Sequence, residues 1–153
     1  MQLLSDAFEP AGTIPRRHTC DGENLSPPLR WRDVPRTARS LALVVEDPDA
    51  PTGHFTHWLV YNLPVDFPGL PEGVSSAASI PAGGVQGTNS FGQIGYGGPC
   101  PPRGTHRYNF RLFALDGPVD LPPGATRDEL LDAIDPHILD STELLGHFSR
   151  GRG

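Results

Sequence analysis

The sequence predicts a mainly β domain, antiparallel or mixed in its strand directions, with a small helical C-terminus. Three observations predict this class. Strand-like apolar segments occur at 40–46, 55–63 and 107–115, the chain holds 18 glycines and 18 prolines, and strands do not alternate with helices. Because 153 residues is the usual size of one domain, we expect a single domain over residues 1–153.

The first half of the chain predicts short extended pieces followed by two strong strands. Five prolines within residues 1–39 exclude a long helix there. Residues 40–46 form an apolar run typical of a buried strand that ends at Asp47-Pro48. Residues 55–63 predict a second strand, covered on both sides, with one face made of Phe55, His57, Leu59 and Tyr61.

The second half begins with residues 64–105, the longest stretch without periodicity, dominated by glycine, proline and serine. A loop of this length in a compact domain usually has a function, and a flexible insertion is the alternative. Residues 107–115 then predict a third strand, with one face made of Tyr108, Phe110, Leu112 and Ala114.

The C-terminal segment changes period and predicts two short helices. Residues 126–129 read as a capping box before two leucines, and residues 140–143 resemble a second one. We therefore expect a break near Asp135-Pro136 and a last helix with His147 near its C-terminal end.

Charge and composition exclude several classes of function. All 12 basic residues are arginines, so lysine-based catalysis is excluded, and a net charge of −6 disfavours general nucleic-acid binding. No segment approaches the roughly 20 apolar residues that span a bilayer, and no export signal is visible, so we expect a cytoplasmic protein without a membrane span.

Cys20 and Cys100 form no CxxC pair, which excludes a structural zinc site. Free thiols are their default state in the cytoplasm, with a bond between them left open.

Three polar clusters lie at or within the strong strands: Asp47 and Asp49 in DPDAP, His57, and the pair His106 and Tyr108. Taken singly, these residues have ordinary explanations, a capped turn for the aspartates and a core position for His57. Together they describe a pocket for a small phosphate, sulfate or carboxylate, because the two imidazoles and the hydroxyl can donate hydrogen bonds.

The loop before the third strand would complete this pocket. The backbone amides of Gly97 and Gly98 could form an anion-binding nest, and Pro101 and Pro102 a rigid apolar wall. Asp47 could orient one imidazole and favour its cationic form.

The segments DPDAP, THWLVYNLP and GYGGPCPPRGTHRY resemble the phosphatidylethanolamine-binding protein family, and CDGENLSPPLRW resembles the opening motif of its bacterial, Raf-kinase-inhibitor-like branch. The resemblance runs from about Thr19 to Leu115. It implies a large central antiparallel or mixed sheet packed on a smaller sheet in a β-sandwich-like arrangement, with short peripheral and C-terminal helices. It also implies one anion pocket at the end of the central sheet, whose ligand-binding residues are Asp47, Asp49, His57, Gly98, Pro101, Pro102, His106 and Tyr108.

We therefore expect a non-enzymatic binding protein for phosphate or a phosphoester head group, with no cofactor and no metal. Regulation of a kinase or protease by contact is an open expectation, as is a homodimer by analogy with the bacterial branch.

Two enzymatic alternatives stay open. A metal centre could use His54, His57 and His106 with Asp47 or Asp49. His54 and His57 are three residues apart, however, and on a strand their side chains would face opposite ways. A cysteine–histidine enzyme could use Cys100 and His106. Separately from these alternatives, Cys20 and Cys100 are a candidate redox pair.

Overall fold

The structure is a computed structural model that describes residues 1–81 and 83–150. The predicted domain and the predicted 64–105 loop therefore each include residues outside the described part. Within the described part the chain forms nine strands, one α-helix (α1, Arg127–Ile134) and two 3-10 helices (Arg16–His18 and Asp135–His137). The strands are β1 (Gln2–Leu4), β2 (Gly12–Thr13), β3 (Leu29–Arg32), β4 (Ser40–Ala50), β5 (Gly53–Leu63), β6 (Gly69–Leu70), β7 (Val85–Gln86), β8 (His106–Leu115) and β9 (Ile138–Phe148).

The strands form two sheets. The large sheet has the order β2-β9-β8-β4-β5-β7, and it is mixed because β2 runs parallel to β9 while the other pairs are antiparallel. The small sheet is antiparallel, with the order β1-β3-β6. This architecture confirms the predicted class, a large mixed sheet packed on a smaller one.

The large sheet is covered on both faces, which explains why β4 is apolar throughout. Leu41, Leu43 and Val45 face the core shared with the small sheet, where Trp31 lies. Ala42 and Val44 face the second core, formed with α1. A strand buried on both faces needs no polar alternation, and β4 accordingly lies between β5 and β8.

Strand β4 continues past its predicted end at residue 46. Asp47 pairs with Phe55, and Ala50 pairs with Gly53, so β4 and β5 extend together as a hairpin. A register irregularity between Asp47 and Ala50 accommodates Pro48, which cannot donate a ladder hydrogen bond. The hairpin carries Asp47 and the residues after it beyond the last β8 pairing.

A bulge in β5 corrects the predicted faces of that strand. Val45 pairs with Trp58 whereas Glu46 pairs with Thr56, so His57 is the extra residue between two register positions. The prediction that His57 shares a face with Leu59 and Tyr61 is therefore wrong. Leu59 and Tyr61 belong to the core beside α1, and the His57 ring packs against Tyr108 on the other side of the sheet.

The predicted last helix is a strand. Residues 138–148 form β9, which pairs with β8 along its whole length, and buried Leu144, Gly146 and Phe148 recur with period two. His147 therefore lies on β9, not at a helix end. The first capping box is confirmed, because Thr126 and Glu129 exchange side-chain and backbone hydrogen bonds at the start of α1.

No helix of the described part is long and apolar enough to cross a membrane.

Candidate functional site

A cavity of about 250 Å³ opens at one end of the large sheet, where β4, β5 and β8 meet the loop that precedes β8. Each of the three strands contributes one polar residue to its lining: Asp47 from β4, His57 from β5 and His106 from β8. The remaining wall is mostly apolar and includes Pro51, Phe55, Phe91, Pro101 and Pro102. The structure therefore brings together five of the eight predicted ligand-binding residues.

The carboxylate of Asp47 fixes the ring of His106. Its Oδ2 atom lies 2.6 Å from His106 Nδ1, and its Oδ1 atom accepts a hydrogen bond from the backbone N–H of Asp49 at 2.7 Å. Both side chains are buried. The turn after Asp47 thus holds the carboxylate, and the carboxylate holds the imidazole, whose Nε2 has no hydrogen-bond partner within residues 1–81 and 83–150.

His57 is fixed by the loop instead. Its Nδ1 donates to the carbonyl oxygen of Gly97 at 2.6 Å, and the Gly97 N–H donates back to the His57 carbonyl at 2.9 Å. Burial lowers the pKa of His57, so the ring is neutral near pH 7. Because Nδ1 carries the proton, Nε2 is an acceptor, and it too lacks a partner in the described part of the chain.

Asp49 does not line the cavity. Its two oxygens accept hydrogen bonds from Arg107 Nη2 at 2.7 Å and Nε at 3.0 Å, and the Arg107 backbone N–H donates to it as well. This contact lowers the pKa of Asp49 to about 2. Asp49 therefore ties the end of β4 to the start of β8 and lies outside the cavity lining, and its role as a ligand-binding residue stays a prediction.

The predicted nest of glycine amides is not available to a ligand. The Gly97 N–H is bonded to His57, and the Gly98 N–H donates to Asn24 Oδ1 at 2.9 Å. A Cβ atom on Gly98 would lie 2.3 Å from the same Asn24 oxygen. Gly98 thus lets the loop approach the N-terminal segment closely, and it lies outside the cavity lining.

Tyr108 lies behind the cavity and does not line it. Its ring packs edge-on against His57, with 5.3 Å between the ring centroids. The hydroxyl is buried and has no partner in the described part, and burial raises its pKa, so it is a neutral phenol that can donate.

Cys20 and Cys100 are joined by a disulfide, with 5.4 Å between their Cα atoms, where free thiols were the default expectation. The physical reason is proximity, since the loop packs against the N-terminal segment and the Cys20 N–H donates to the Pro99 carbonyl at 3.1 Å. Cys100 lines the cavity beside Pro101. In this bonded state Cys100 offers no thiol for a pair with His106.

Of the residues named for the alternative metal centre, Asp47, His57 and His106 line the cavity, whereas His54 and Asp49 do not. No group of three His, Cys, Asp or Glu side chains in the described part is placed to hold a metal ion. His54 lies 3.8 Å from Glu46, whose carboxylate also binds Arg127 of α1, so it faces away from the cavity that His57 lines.

Two aromatic residues of the cavity lining, Phe55 and Phe91, were not among the predicted ligand-binding residues. Their rings contact each other at 4.8 Å between centroids, and both contact the His57 ring. Asn89 positions Phe91, because its Oδ1 accepts the Phe91 N–H at 2.9 Å. Phe91 is 48% exposed, and a lone phenylalanine in the polar run TNSFGQ was the available signal.

Comparisons with known proteins show the family of the chain. The family described as phosphatidylethanolamine-binding protein matches residues 4–149. A UPF0098 protein of Methanothermobacter thermautotrophicus is 52% identical over 151 residues, which cover 99% of this chain and 100% of that protein.

Two solved structures have the same fold. A phosphatidylethanolamine-binding protein homologue from Chlamydia trachomatis, CT736, superposes with a TM-score of 0.90 at 44% identity, covering 98% of this chain and 97% of that one. Escherichia coli YbcL, described as a new member of the mammalian PEBP family, superposes with a TM-score of 0.91 at 30% identity, covering 98% of each chain. The resemblance seen in the sequence motifs is confirmed, and the chain belongs to the phosphatidylethanolamine-binding protein family.

Proposed function

We propose that the chain is a binding protein, with no catalytic activity of its own, for a small anion of phosphate type: phosphate or a phosphoester head group. One observation carries the proposal. His57 and His106 each use Nδ1 in a fixed hydrogen bond, and both rings line the same small cavity with Nε2 unused in the described part of the chain. Such a nitrogen can accept a hydrogen bond from a protonated phosphate oxygen while its ring is neutral, and it can donate to an unprotonated oxygen once its ring is protonated.

The charge of the cavity favours a singly charged form of the anion. Asp47 lies in the lining and opposes a second negative charge. Neutral His57 can accept a hydrogen bond from a protonated phosphate oxygen, or it can take up a proton and donate to an unprotonated one. Both routes add a proton to the complex, so affinity falls as pH rises through the second phosphate pKa, about 6.

Two features support binding over catalysis. The thiol nearest His106 is locked in the disulfide. The Asp47–His106 pair resembles the orienting half of a catalytic triad. Ser90, which precedes Phe91 of the cavity lining, donates from its backbone N–H to the Thr56 carbonyl and accepts the Thr56 N–H through Oγ. Control of a kinase or protease by contact, a homodimer and a cytoplasmic location stay predictions attached to this proposal.

An NMR titration of the histidine ring resonances with methyl phosphate tests the proposal. We expect saturable shifts at His57 and His106, stronger binding at pH 6 than at pH 8, and no saturable shift at the exposed His137. H106N should weaken binding by about tenfold, since it removes one charge-assisted or neutral hydrogen bond. H137N is the matched control. Absence of shifts up to millimolar methyl phosphate, or equal shifts at all three rings, would refute the proposal.

A further inference from the structure

The disulfide lies in the wall of the cavity, which gives it a place in ligand binding that the sequence motifs do not assign. Cys100 lines the cavity together with Pro101 and Pro102, while Cys20 belongs to the N-terminal segment behind them. Both cysteines are partly exposed, so a dissolved reductant can reach the bond.

The wall depends on this bond because few polar contacts hold it. Among the described residues, no hydrogen bond joins any of residues 100–105, which we call the wall segment, to another part of the protein. Pro101 and Pro102 have no N–H to donate, and residues 102–105 are exposed, whereas Pro101 is buried. The wall segment is therefore held at one end by the disulfide and the packing of Pro101, and at the other by His106, where β8 begins.

The chain just before the wall segment is held in a different way. Tyr96 donates its hydroxyl to the His18 carbonyl at 2.6 Å, Gly98 donates to Asn24, and Gly97 is bonded twice to His57. These contacts do not involve sulfur. The Cys20 N–H also donates to the Pro99 carbonyl at 3.1 Å, so loss of the disulfide frees the wall segment beyond Pro99 and leaves the hydrogen bonds of His57 in place.

We propose that the Cys20–Cys100 disulfide is a redox latch on the cavity: the bonded form holds Pro101 and Pro102 against the ligand, and reduction releases them. A dithiol reductant supplies two electrons and two protons, the S–S bond breaks, two cysteine thiols form, and the reductant becomes its own disulfide. The latch rests on the proposed anion site. It makes the affinity of that site depend on the redox state of the surroundings, because a wall that is in place only part of the time lowers apparent affinity by that fraction.

The first test measures methyl phosphate affinity in three samples: the oxidised protein, the same protein with a dithiol reductant, and the variant C20S/C100S. We expect binding to be about three- to tenfold weaker in the second and third samples. Added reductant should not change the variant any further, which is the control for direct effects of the reductant. Equal affinity in all three samples would overturn the latch, whereas no binding in the oxidised protein would refute the anion site itself.

The second test needs no ligand and decides the latch even if the anion site fails. Trypsin can cut after Arg103 in the wall segment and after Arg36, an exposed arginine in the turn before β4. We expect cleavage at Arg103 to become at least about threefold faster, relative to Arg36, in C20S/C100S than in the oxidised protein. The ratio corrects for a general loss of stability. An unchanged ratio would show that the wall segment is held without the bond, and would overturn the proposal.

Discussion

His57 and His106 are each held by a hydrogen bond at Nδ1, but the two rings have different partners. Each imidazole uses Nδ1 in a hydrogen bond and keeps Nε2 for the cavity, but His57 donates to a neutral carbonyl while His106 faces the Asp47 carboxylate. The partner matters because a carbonyl does little to offset the cost of burying a charged ring. At His57 burial outweighs the other influences, and the pKa of that ring falls below 6.5.

The lowered pKa of His57 predicts how stability depends on pH. Above about pH 6.5 the ring is neutral in both the folded and unfolded states, and below that value the unfolded chain binds a proton that the folded ring resists. The free energy of unfolding should therefore fall as pH drops below 6.5. H57N removes this contribution, so urea unfolding at pH 7.5 and 5.5 should show a smaller loss in H57N than in the unchanged protein.

H54N is the matched control for this prediction, because His54 lies on the same strand with its side chain 54% exposed. It should keep the full loss of stability between the two pH values. If H57N and H54N lose the same amount, the His57 ring titrates as it does in water and the desolvation argument is wrong.

At the scale of elements, the strands with one clear pattern were predictable and the places where two patterns compete were not. The faces of β8 and the start of α1 follow directly from alternation and from the capping box. The β5 bulge cannot be read from β5 alone, since it is a mismatch of register with β4. In β9, the cap-like residues 140–143 suggested a helix, yet pairing with all of β8 buries three residues at strand spacing.

The sequence predicted part of the site, namely which residues line the cavity, but not which distant residues its other groups contact. Asp47, His57, His106, Pro101 and Pro102 line the cavity, as the motifs suggested. The uses of the Asp49 carboxylate and the Gly98 amide depend on distant residues, and no local pattern reveals such partners.

The link between α1 and the large sheet predicts a loss of stability that leaves binding intact. Glu46 is buried on the face opposite the cavity and accepts hydrogen bonds from Arg111 Nη2 at 2.8 Å and Arg127 Nε at 2.5 Å. E46Q should lower the free energy of unfolding by about 2–3 kcal/mol, because two partly buried arginines lose their counter-charge. Methyl phosphate affinity should change less than about twofold.

Chemical unfolding and the methyl phosphate titration, applied to E46Q and to E9Q at an exposed glutamate, separate these two effects. E9Q should match the unchanged protein in both. A loss of affinity in E46Q comparable to that in H106N would mean that the two faces of β4 are coupled.

At the scale of the whole molecule, the disulfide is a long-range constraint. It joins residues 80 positions apart and so closes a loop that contains β3 to β7, including the two strands that supply Asp47 and His57. Disulfide bonds that persist in folded proteins are typical of oxidising surroundings, so the bonded state argues against the predicted cytoplasmic location. In a reducing compartment the same chain would exist with the wall segment released.

The size of the closed loop sets the expected effect on global stability. Closing a loop of this length removes conformational freedom from the unfolded chain, and such bonds typically contribute about 2–4 kcal/mol. C20S/C100S should therefore unfold at a lower urea concentration, with a free energy of unfolding lower by about 3 kcal/mol. The amplitude of its unfolding transition should show that the variant is fully folded in buffer. The reduced unchanged protein should match it, because both lack the same constraint. A variant as stable as the oxidised protein would mean that the bond does not stabilise the fold by restricting the unfolded chain. Faster cleavage at Arg103 would then measure the release of the wall segment alone.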